Sequence, residues 1–262
     1  CHAHIPMTIL SVNLNKVALV RNSRDTSSPS PLEFASIAVA AGAEGITVHP
    51  RPDQRHIRAS DCHDLAAALK VEFNIEGNPF APAAASDRSA VGDYPGFMSL
   101  VEATRPAQVT LVPDGDAQLT SDHGFDLRQD SERLLPIITQ LKSWGCRVSI
   151  FMDPDPEQMV MAAAIGADRV ELYTEAYAVA HAHGDFTSTL SAFVDTAIAA
   201  DEAGLGVNAG HDLNLINLPD FKIPHLLEVS IGHALTVDAL RYGFAASVAH
   251  YKKALALRAG SD

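Results

Sequence analysis

The chain is poor in cysteine, in tryptophan and in positive charge. Its 262 residues include 3 cysteines and 1 tryptophan, and 19 lysines and arginines stand against 32 aspartates and glutamates, giving a formal net charge of -13. Cys1, Cys62 and Cys146 are odd in number and form no C-x-x-C pair, which argues against a disulfide framework or a cysteine-rich zinc site. The acidic balance disfavours nonspecific binding to nucleic acid or to anionic membranes. We therefore expect a cytoplasmic protein with no nucleic-acid and no membrane partner.

Long apolar runs and several enzyme motifs are missing as well. No run approaches the roughly 18 apolar residues needed to cross a bilayer. No G-x-G-x-x-G follows the first predicted strand, which weakens a dinucleotide-binding interpretation, and no H-E-x-x-H pair marks a metal site within one helix. The absence of G-x-S-x-G, and of a cysteine at any strand end, disfavours covalent serine or cysteine catalysis. Metal ligands from separate strands stay possible, and Lys16 stays open as a Schiff-base lysine.

The chain does contain a regular alternation of strand-like and helix-like segments, with 47% hydrophobic residues to build a core. Eight short apolar runs are each followed by a helical pattern, without a break in composition. This alternation predicts a parallel sheet, and eight units over about 250 residues predict an α/β fold, a (β/α)8 TIM barrel with extra short helices. An open doubly wound sheet is the alternative. We expect one barrel domain over residues 7–262, with residues 1–6 as a cloning remnant or a disordered N-terminus.

Element boundaries follow from the same patterns. The predicted strands are 9–13, 46–49, 71–75, 108–112, 147–152, 168–172, 206–209 and 226–231. Residues 13–24 form a polar connection between the first strand and the first helix. Residues 78–96 are predicted to be a loop, or an insertion carrying short helical pieces, and residues 234–259 a single closing helix.

The stretch between residues 45 and 56 is the most informative. It begins as a β-branched strand, Ile46 to Val48, and then turns abruptly polar, with His49, Arg51 and His56 following within eight residues. A buried strand that ends in histidine and arginine brings a titratable group and a permanent cation to the rim of a sheet. Such a rim suits an anionic substrate that requires proton transfer.

In a barrel, catalytic groups lie at the carboxyl ends of the strands. The predicted strand ends carry Asn13, His49, Glu76, Pro113 with Asp114, Asp153, Glu171, His211 and His233. These acids, bases and an amide would share one mouth if the barrel forms. Simpler interpretations exist, with Glu76 as a loop acid, His211 as a hydrogen-bonded core histidine and Asp153 as a helix cap. Gly232 and His233 open the last helix, whose backbone N–H groups would suit a phosphate.

Six stretches together carry a family resemblance. They are Val12 to Lys16 with Arg21 to Arg24, Gly45 to His56, Asn74 to Glu76, Leu111 to Pro113, Val207 to His211, and Ile231 to Ala234. In these residues the chain resembles the pyridoxine 5'-phosphate synthases, barrel enzymes that close the vitamin B6 ring. The resemblance implies condensation of 1-deoxy-D-xylulose 5-phosphate with 3-amino-2-oxopropyl phosphate, giving pyridoxine 5'-phosphate, inorganic phosphate and water without a metal or an organic cofactor.

The resemblance also implies individual roles. His49 and Glu76 would be general acid/base groups and His211 a proton donor. Asn13, Arg24, Gly232 and His233 would bind the aminoketone phosphate, and Arg51, His56 and Thr120 the deoxyxylulose phosphate. The partners would be these two small phosphorylated substrates and further copies of the chain in a homo-oligomer, an octamer by analogy, with Arg24 reaching towards a neighbouring subunit.

Three departures from the family pattern bear on the substrate site. Asn15 and Lys16 stand where an Asp-His pair is usual, although the lysine can still meet a phosphate. Asp212 replaces the glycine that usually follows the catalytic histidine, which brings a carboxylate near a phosphate. We expect all three residues to line the substrate site. Residues 79–96 look inserted relative to shorter members.

Two other hypotheses stay open at this point. One is another barrel enzyme acting on sugar phosphates, an aldolase or an isomerase, in which Lys16 would form the covalent adduct. The other is a phosphometabolite-binding protein without catalytic activity, for which Asp212 is the hint.

Overall fold

A computed structural model describes residues 7–115, 118 and 120–259; the expected N-terminal remnant, residues 1–6, lies outside them. Eight parallel strands close into a barrel in chain order, and the last strand pairs with the first. The strands are β1 (Ile9–Asn13), β2 (Gly45–Val48), β3 (Glu72–Gly77), β4 (Gln108–Leu111), β5 (Arg147–Met152), β6 (Arg169–Tyr173), β7 (Gly206–Gly210) and β8 (Leu226–Ile231). The (β/α)8 prediction is confirmed, and the open-sheet alternative is wrong.

Helices surround the barrel, and short 3-10 turns occur at Pro156–Gln158 and Leu218–Asp220. The helices are α1 (Asn15–Asn22), α2 (Pro31–Ala40), α3 (Ala59–Ala68), α4 (Phe97–Thr104), α5 (Leu127–Ser143), α6 (Met159–Ala164), α7 (Glu175–Ala182), α8 (Thr187–Glu202), α9 (His233–Tyr242) and α10 (Phe244–Ala259). None of the helices within the described ranges combines the length and the apolar character that crossing a bilayer requires.

The strands alternate between an apolar outer face and a polar inner face. Residues such as Leu10 and Ile46 are fully buried and belong to the hydrophobic core. In between, the hydroxyl groups of Ser11 and Thr47 lie 2.7 Å apart, linking β1 to β2. Asn74 on β3 donates to the Thr47 hydroxyl at 3.3 Å. Because successive side chains of a strand point to opposite faces, the alternation directs polar groups into the barrel and towards its mouth.

The polar connection predicted after β1 is a helix in the structure. In α1 the buried residues Val17, Ala18 and Arg21 face the barrel wall. Arg21 forms a bidentate ion pair with Asp61 on α3, with nitrogen–oxygen distances of 2.5 and 2.9 Å. It also donates to the carbonyl of His56 at 3.0 Å. The helix therefore holds the backbone of the loop after β2, which the sequence patterns did not indicate.

One further prediction of local structure is wrong, and of the two alternatives predicted for residues 78–96 the loop is confirmed. The expected single helix over 234–259 is broken into α9 and α10 at Gly243, whose φ of +82° lies in the left-handed region that glycine adopts without strain. Residues 79–96, all described, contain no helical pieces and instead form one antiparallel bridge between Ala84 and Tyr94. This segment packs on the loop after β2, where Gln54 donates to the carbonyl of Gly92 at 2.7 Å.

Gly124 lies where the loop after β4 passes the end of β5. A Cβ atom built on this glycine would stand 2.3 Å from the backbone Cα of Met152. Asp153 accepts a hydrogen bond from the Gly124 N–H at 3.5 Å, while the neighbouring Asp155 caps the 3-10 turn that follows. The loop can approach the strand this closely only because residue 124 lacks a side chain.

We therefore expect Gly124→Ala to lower the free energy of unfolding by about 1–3 kcal/mol, the usual cost of overpacking. The matched control is Gly92→Ala, since nothing lies within 4 Å of a Cβ at that exposed position. Urea denaturation followed by circular dichroism measures both. Equal stability of the two variants would contradict the close approach.

Candidate active site

Three buried side chains meet where β2, β3 and β4 end. His49 follows β2 directly, Glu76 lies near the end of the adjacent β3, and Asp114 follows β4. The His49 Nδ1 lies 3.9 Å from a carboxylate oxygen of Glu76, and its Nε2 lies 3.7 Å from an oxygen of Asp114. Each ring nitrogen thus faces a carboxyl group just beyond hydrogen-bond distance, which is common for acid/base groups in ligand-free sites.

The first strand and helix fix the backbone of His49. The Asn15 side-chain oxygen accepts a hydrogen bond from the His49 N–H at 2.8 Å. The Asn13 side-chain oxygen accepts one from the Asn15 N–H at 3.0 Å. Asn15 therefore serves the site through the protein backbone in this structure, and Asn13, which the strand-end argument named, holds Asn15.

Arg51 and Asp114 form a buried ion pair at the entrance to this cluster. The Arg51 guanidinium donates to Asp114 Oδ2 and also to the carbonyl of Gln118, at 3.1 Å. The Ser121 hydroxyl donates to the same Asp114 oxygen at 2.8 Å. The other carboxylate oxygen, Oδ1, is buried and has no hydrogen-bond partner among the described residues.

His56 lies on the other side of His49, with the two ring centroids 6.4 Å apart. Its Nδ1 accepts a hydrogen bond from the N–H of Ile57 at 2.9 Å, which places the ring proton on Nε2. Burial, together with the positive charges of Arg51 and Lys16, lowers the pKa of His56 to about 3. His56 is therefore a neutral hydrogen-bond donor towards the mouth.

His211 enters the mouth from the end of β7. Its imidazole packs between Phe151 and Tyr173, with ring centroids 5.1 and 5.3 Å away. Burial, together with the positive charges of Arg51 and Lys16, lowers the pKa of His211 to about 4, while Glu175 opposes the shift. The pKa of His49 is lowered well below its usual value by burial, by Arg51 and by the other two histidines. The charges of the three histidines thus influence one another at this end of the barrel.

The pKa values of the carboxyl groups inside the barrel are raised, opposite to those of the histidines. Burial, and then Glu171 and Glu228, raise the pKa of Glu76 well above its usual value. Burial raises the pKa of Glu171 to about 7, and burial and neighbouring carboxylates raise that of Glu228 to about 8. A carboxylic acid that keeps its proton near neutral pH can donate it and then accept one back, which is the requirement for Glu76 as an acid/base group.

The start of α9 follows β8, the strand that pairs with β1. Gly232 is the N-cap of α9 and no side chain caps the helix there. A Cβ on Gly232 would lie 3.1 Å from the Cβ of Asn13, so this helix start adjoins the end of β1. The Asp212 backbone is left-handed, with φ +56°. Partial burial and Glu175 raise the pKa of Asp212, and His233 opposes the shift.

The remaining predicted residues lie nearer the surface. Lys16 is partly buried in α1, and its charge lowers the pKa of both His56 and His211. Arg24 is exposed on the turn after α1, and Thr120 is exposed beside the buried Ser121. No group of three or more histidine, cysteine, aspartate or glutamate side chains among the described residues is arranged to hold a metal ion.

Comparison with known proteins decides the family. Residues 10–257 match the family described as "Pyridoxal phosphate biosynthesis protein PdxJ". The chain belongs to the PdxJ family.

Relatives in this family align over nearly the whole chain. A pyridoxine 5'-phosphate synthase of Xanthomonas campestris pv. campestris (strain B100) is 55% identical over 258 residues, covering 97% of each chain. One from Xylella fastidiosa (strain 9a5c) is 51% identical and covers 93% of each chain. The family match, over residues 10–257, includes His49, Glu76 and His211.

Solved structures with low sequence identity share the fold. The tryptophan synthase alpha chain from Legionella pneumophila aligns with TM-score 0.63 at 11% identity, over 97% of this chain and 94% of that one. Phosphoribosyl anthranilate isomerase from Thermus thermophilus aligns with TM-score 0.55 at 15% identity, over 95% and 98%. These likenesses concern the barrel alone.

Sequence reasoning assigned no role to two acids of this PdxJ-family barrel, Asp114 and Glu171. Asp114 was placed at a strand end, but its pairing with Arg51 depends on the path of the following loop. Glu171, predicted at a strand end, lies in the middle of β6 and faces inward, since a Cβ on Gly210 would be 2.3 Å from its Oε1. The alternation Arg169-Val170-Glu171-Leu172-Tyr173 was the signal that could have identified it.

The lowered histidine pKa values can be measured directly. In ring-labelled protein we expect the NMR signals of His56 and His211 to stay largely at neutral-imidazole positions from pH 8 to pH 5, because their pKa values are about 3 and about 4. His56→Gln and His211→Gln assign the signals. Midpoints near pH 6.5 would show that the cavity does not desolvate these rings.

Proposed function

We propose that this chain synthesises pyridoxine 5'-phosphate by condensing 1-deoxy-D-xylulose 5-phosphate with 3-amino-2-oxopropyl phosphate, with release of inorganic phosphate and water. The observation that carries the proposal is the 55% identity, over 97% of each chain, to a protein named pyridoxine 5'-phosphate synthase. The buried arrangement of His49 between Glu76 and Asp114 supports it, because closing this ring requires several proton transfers.

The acid/base roles follow from the protonation states. Glu76 has a raised pKa and keeps a proton that it can deliver to a departing oxygen, then recover. Neutral His49 accepts a proton, and the carboxyl groups on both sides compensate the imidazolium that results. His211 is neutral and donates its ring N–H to the substrate from the opposite strand. The aromatic walls of Phe151 and Tyr173 hold that ring in place.

Two phosphate subsites belong to this proposal. Arg51, His56 and Thr120 bind the deoxyxylulose phosphate. The backbone N–H groups at Gly232 and His233, which no side chain caps, bind the phosphate of the aminoketone, since a helix N-terminus attracts anions. Additional contacts come from Asn13, Arg24, Lys16, Asp212 and, through His49, Asn15.

We also infer a homo-oligomer, an octamer by family analogy, located in the cytoplasm. The exposed position of Arg24 is compatible with a reach towards a neighbouring subunit. Analytical ultracentrifugation tests the assembly, for which a mass about eight times that of the 27.9 kDa chain is expected. A species with the mass of one chain at all concentrations would contradict it.

The activity is tested with purified protein and both substrates. We expect formation of pyridoxine 5'-phosphate, identified by its absorbance and mass after chromatography, without added metal or cofactor. Arg51→Gln is expected to raise the KM for the deoxyxylulose phosphate, because it removes the cation from that subsite. No product under conditions in which a pyridoxine 5'-phosphate synthase is active would refute the proposal. A borohydride-trapped adduct on Lys16 would point to an aldolase instead.

A further inference from the structure

The carboxylate of Asp114 already binds Arg51, the residue proposed to bind a substrate phosphate. Arg51 is 5% exposed and Asp114 is 5% exposed, so both charges are withdrawn from water. The donors of Arg51 towards this side are engaged by the Asp114 carboxylate and by the carbonyls of Gly115 and Gln118. A substrate phosphate that binds Arg51 therefore meets a carboxylate already seated on the guanidinium.

Only one oxygen of the Asp114 carboxylate accepts hydrogen bonds. Its Oδ2 accepts them from Arg51 and Ser121, whereas the buried Oδ1 has no hydrogen-bond partner among the described residues. A buried carboxylate oxygen without a donor is costly, and burial also raises the pKa of Asp114. A phosphate, with more oxygen acceptors and a larger negative charge, is the better partner for the same guanidinium.

The displaced carboxylate has a second partner nearby. The Oδ2 of Asp114 lies 3.7 Å from Nε2 of His49, the nitrogen not facing Glu76. Once Arg51 is neutralised by phosphate, the charge of Asp114 is left facing the imidazole, where it favours the protonated ring.

We propose that Asp114 occupies, in the ligand-free enzyme, the position on Arg51 that a substrate phosphate takes, so that the deoxyxylulose phosphate binds by displacing this carboxylate. Asp114 is then a specificity-determining residue. A singly charged anion binds Arg51 little better than the Asp114 carboxylate does. A phosphate dianion binds it better, because it carries more negative charge and accepts more hydrogen bonds. This inference rests on the proposed function in one respect, the use of Arg51 as a phosphate-binding residue.

The test is calorimetric titration of the full-length protein with inorganic phosphate. Asp114→Asn removes the competing charge at nearly constant shape, and we expect phosphate to bind about tenfold more tightly, as for the loss of one charge-assisted competitor. The gain should vanish in the double variant Arg51→Gln, Asp114→Asn. The matched control is Asp122→Asn, which removes one negative charge from an exposed position of the same loop and should change the affinity less than about twofold.

Unchanged or weaker phosphate binding by Asp114→Asn overturns the inference, as does an equal gain in Asp122→Asn. Asp114→Ser carries the same expectation if the Asn variant melts below the assay temperature. Binding is measured without turnover, so the two proposals fail separately. If the protein forms no pyridoxine 5'-phosphate but Asp114→Asn binds phosphate more tightly, the proposed function is wrong and the inference about Asp114 is supported. If the protein is active but Asp114→Asn shows no gain in phosphate affinity, the proposed function is supported and the inference about Asp114 is wrong.

Discussion

Glu76→Gln is expected to lower kcat for pyridoxine 5'-phosphate formation by about 10²- to 10⁴-fold, the usual contribution of a positioned acid/base group. The amide has nearly the shape of the carboxylic acid but can no longer exchange a proton with His49, whose Nδ1 lies 3.9 Å away. Binding of both substrates should change less than about threefold, because the neutral acid and the amide are alike in charge. Steady-state kinetics and calorimetry measure the two quantities.

Unfolding does not account for the expected loss. Burial raises the pKa of Glu76, so replacing it by a permanently neutral group removes a desolvation cost rather than an interaction. The control is Glu132→Gln, an exposed position on α5, for which unchanged kinetics are expected. If Glu76→Gln keeps more than half of the wild-type kcat, Glu76 is not an acid/base group. If the wild type itself binds both substrates without turnover, the chain is a phosphometabolite-binding protein.

Arg21→Met is expected to lower the free energy of unfolding by about 3–5 kcal/mol, the cost of leaving one partner of a buried ion pair alone. The change strands the carboxylate of Asp61, which accepts two hydrogen bonds from Arg21 at 2.5 and 2.9 Å. It also removes one of two donors to the His56 carbonyl, the other being the Asn22 side-chain amide at 2.7 Å. For a chain of this size the melting temperature should fall by about 10 °C. The KM for deoxyxylulose phosphate should rise as His56 loses its fixed position.

Two comparisons isolate the buried pair. Arg128→Met removes an arginine that also bridges two carboxylates, Asp155 and Glu157, but on the surface, and its melting temperature should not change measurably. The double variant Arg21→Met, Asp61→Leu should regain most of the stability lost, because no buried charge is left unpaired. A destabilisation by Arg21→Met no larger than that by Arg128→Met would show that the pair contributes little.

The barrel was predictable because each strand is a short apolar run in a repeating unit. The bounds of β5 and β8 agree with the sequence-based segments 147–152 and 226–231. The helix α1 was not predictable, since its apolar face is narrow and includes Arg21, whose burial depends on a partner 40 residues away. The break at Gly243 was missed because an isolated glycine within a helical pattern does not by itself mark an end.

The three residues proposed for acid/base catalysis were located more readily from the sequence than the groups that surround them. His49, Glu76 and His211 follow or end apolar runs, so a strand-end argument finds them. The pairing of Asp114 with Arg51 is fixed by the course of the loop after β4 and by Ser121, and no local pattern encodes such a contact. The depressed histidine pKa values likewise arise chiefly from burial, which exists only after the barrel closes.

The polar lining of the barrel constrains how the strands can assemble. Hydroxyl and amide groups of Ser11, Thr47, Asn74 and Thr110 form a hydrogen-bonded belt across β1 to β4. A slip of one residue in any of these strands would turn its belt member outwards among the aliphatic side chains of the helices and leave its neighbours unpaired, at about 1–3 kcal/mol for each orphaned group. The free-energy cost of a mispaired half-barrel therefore grows with the number of residues in the belt. Substitutions within the belt should be accepted during evolution in compensating sets rather than singly.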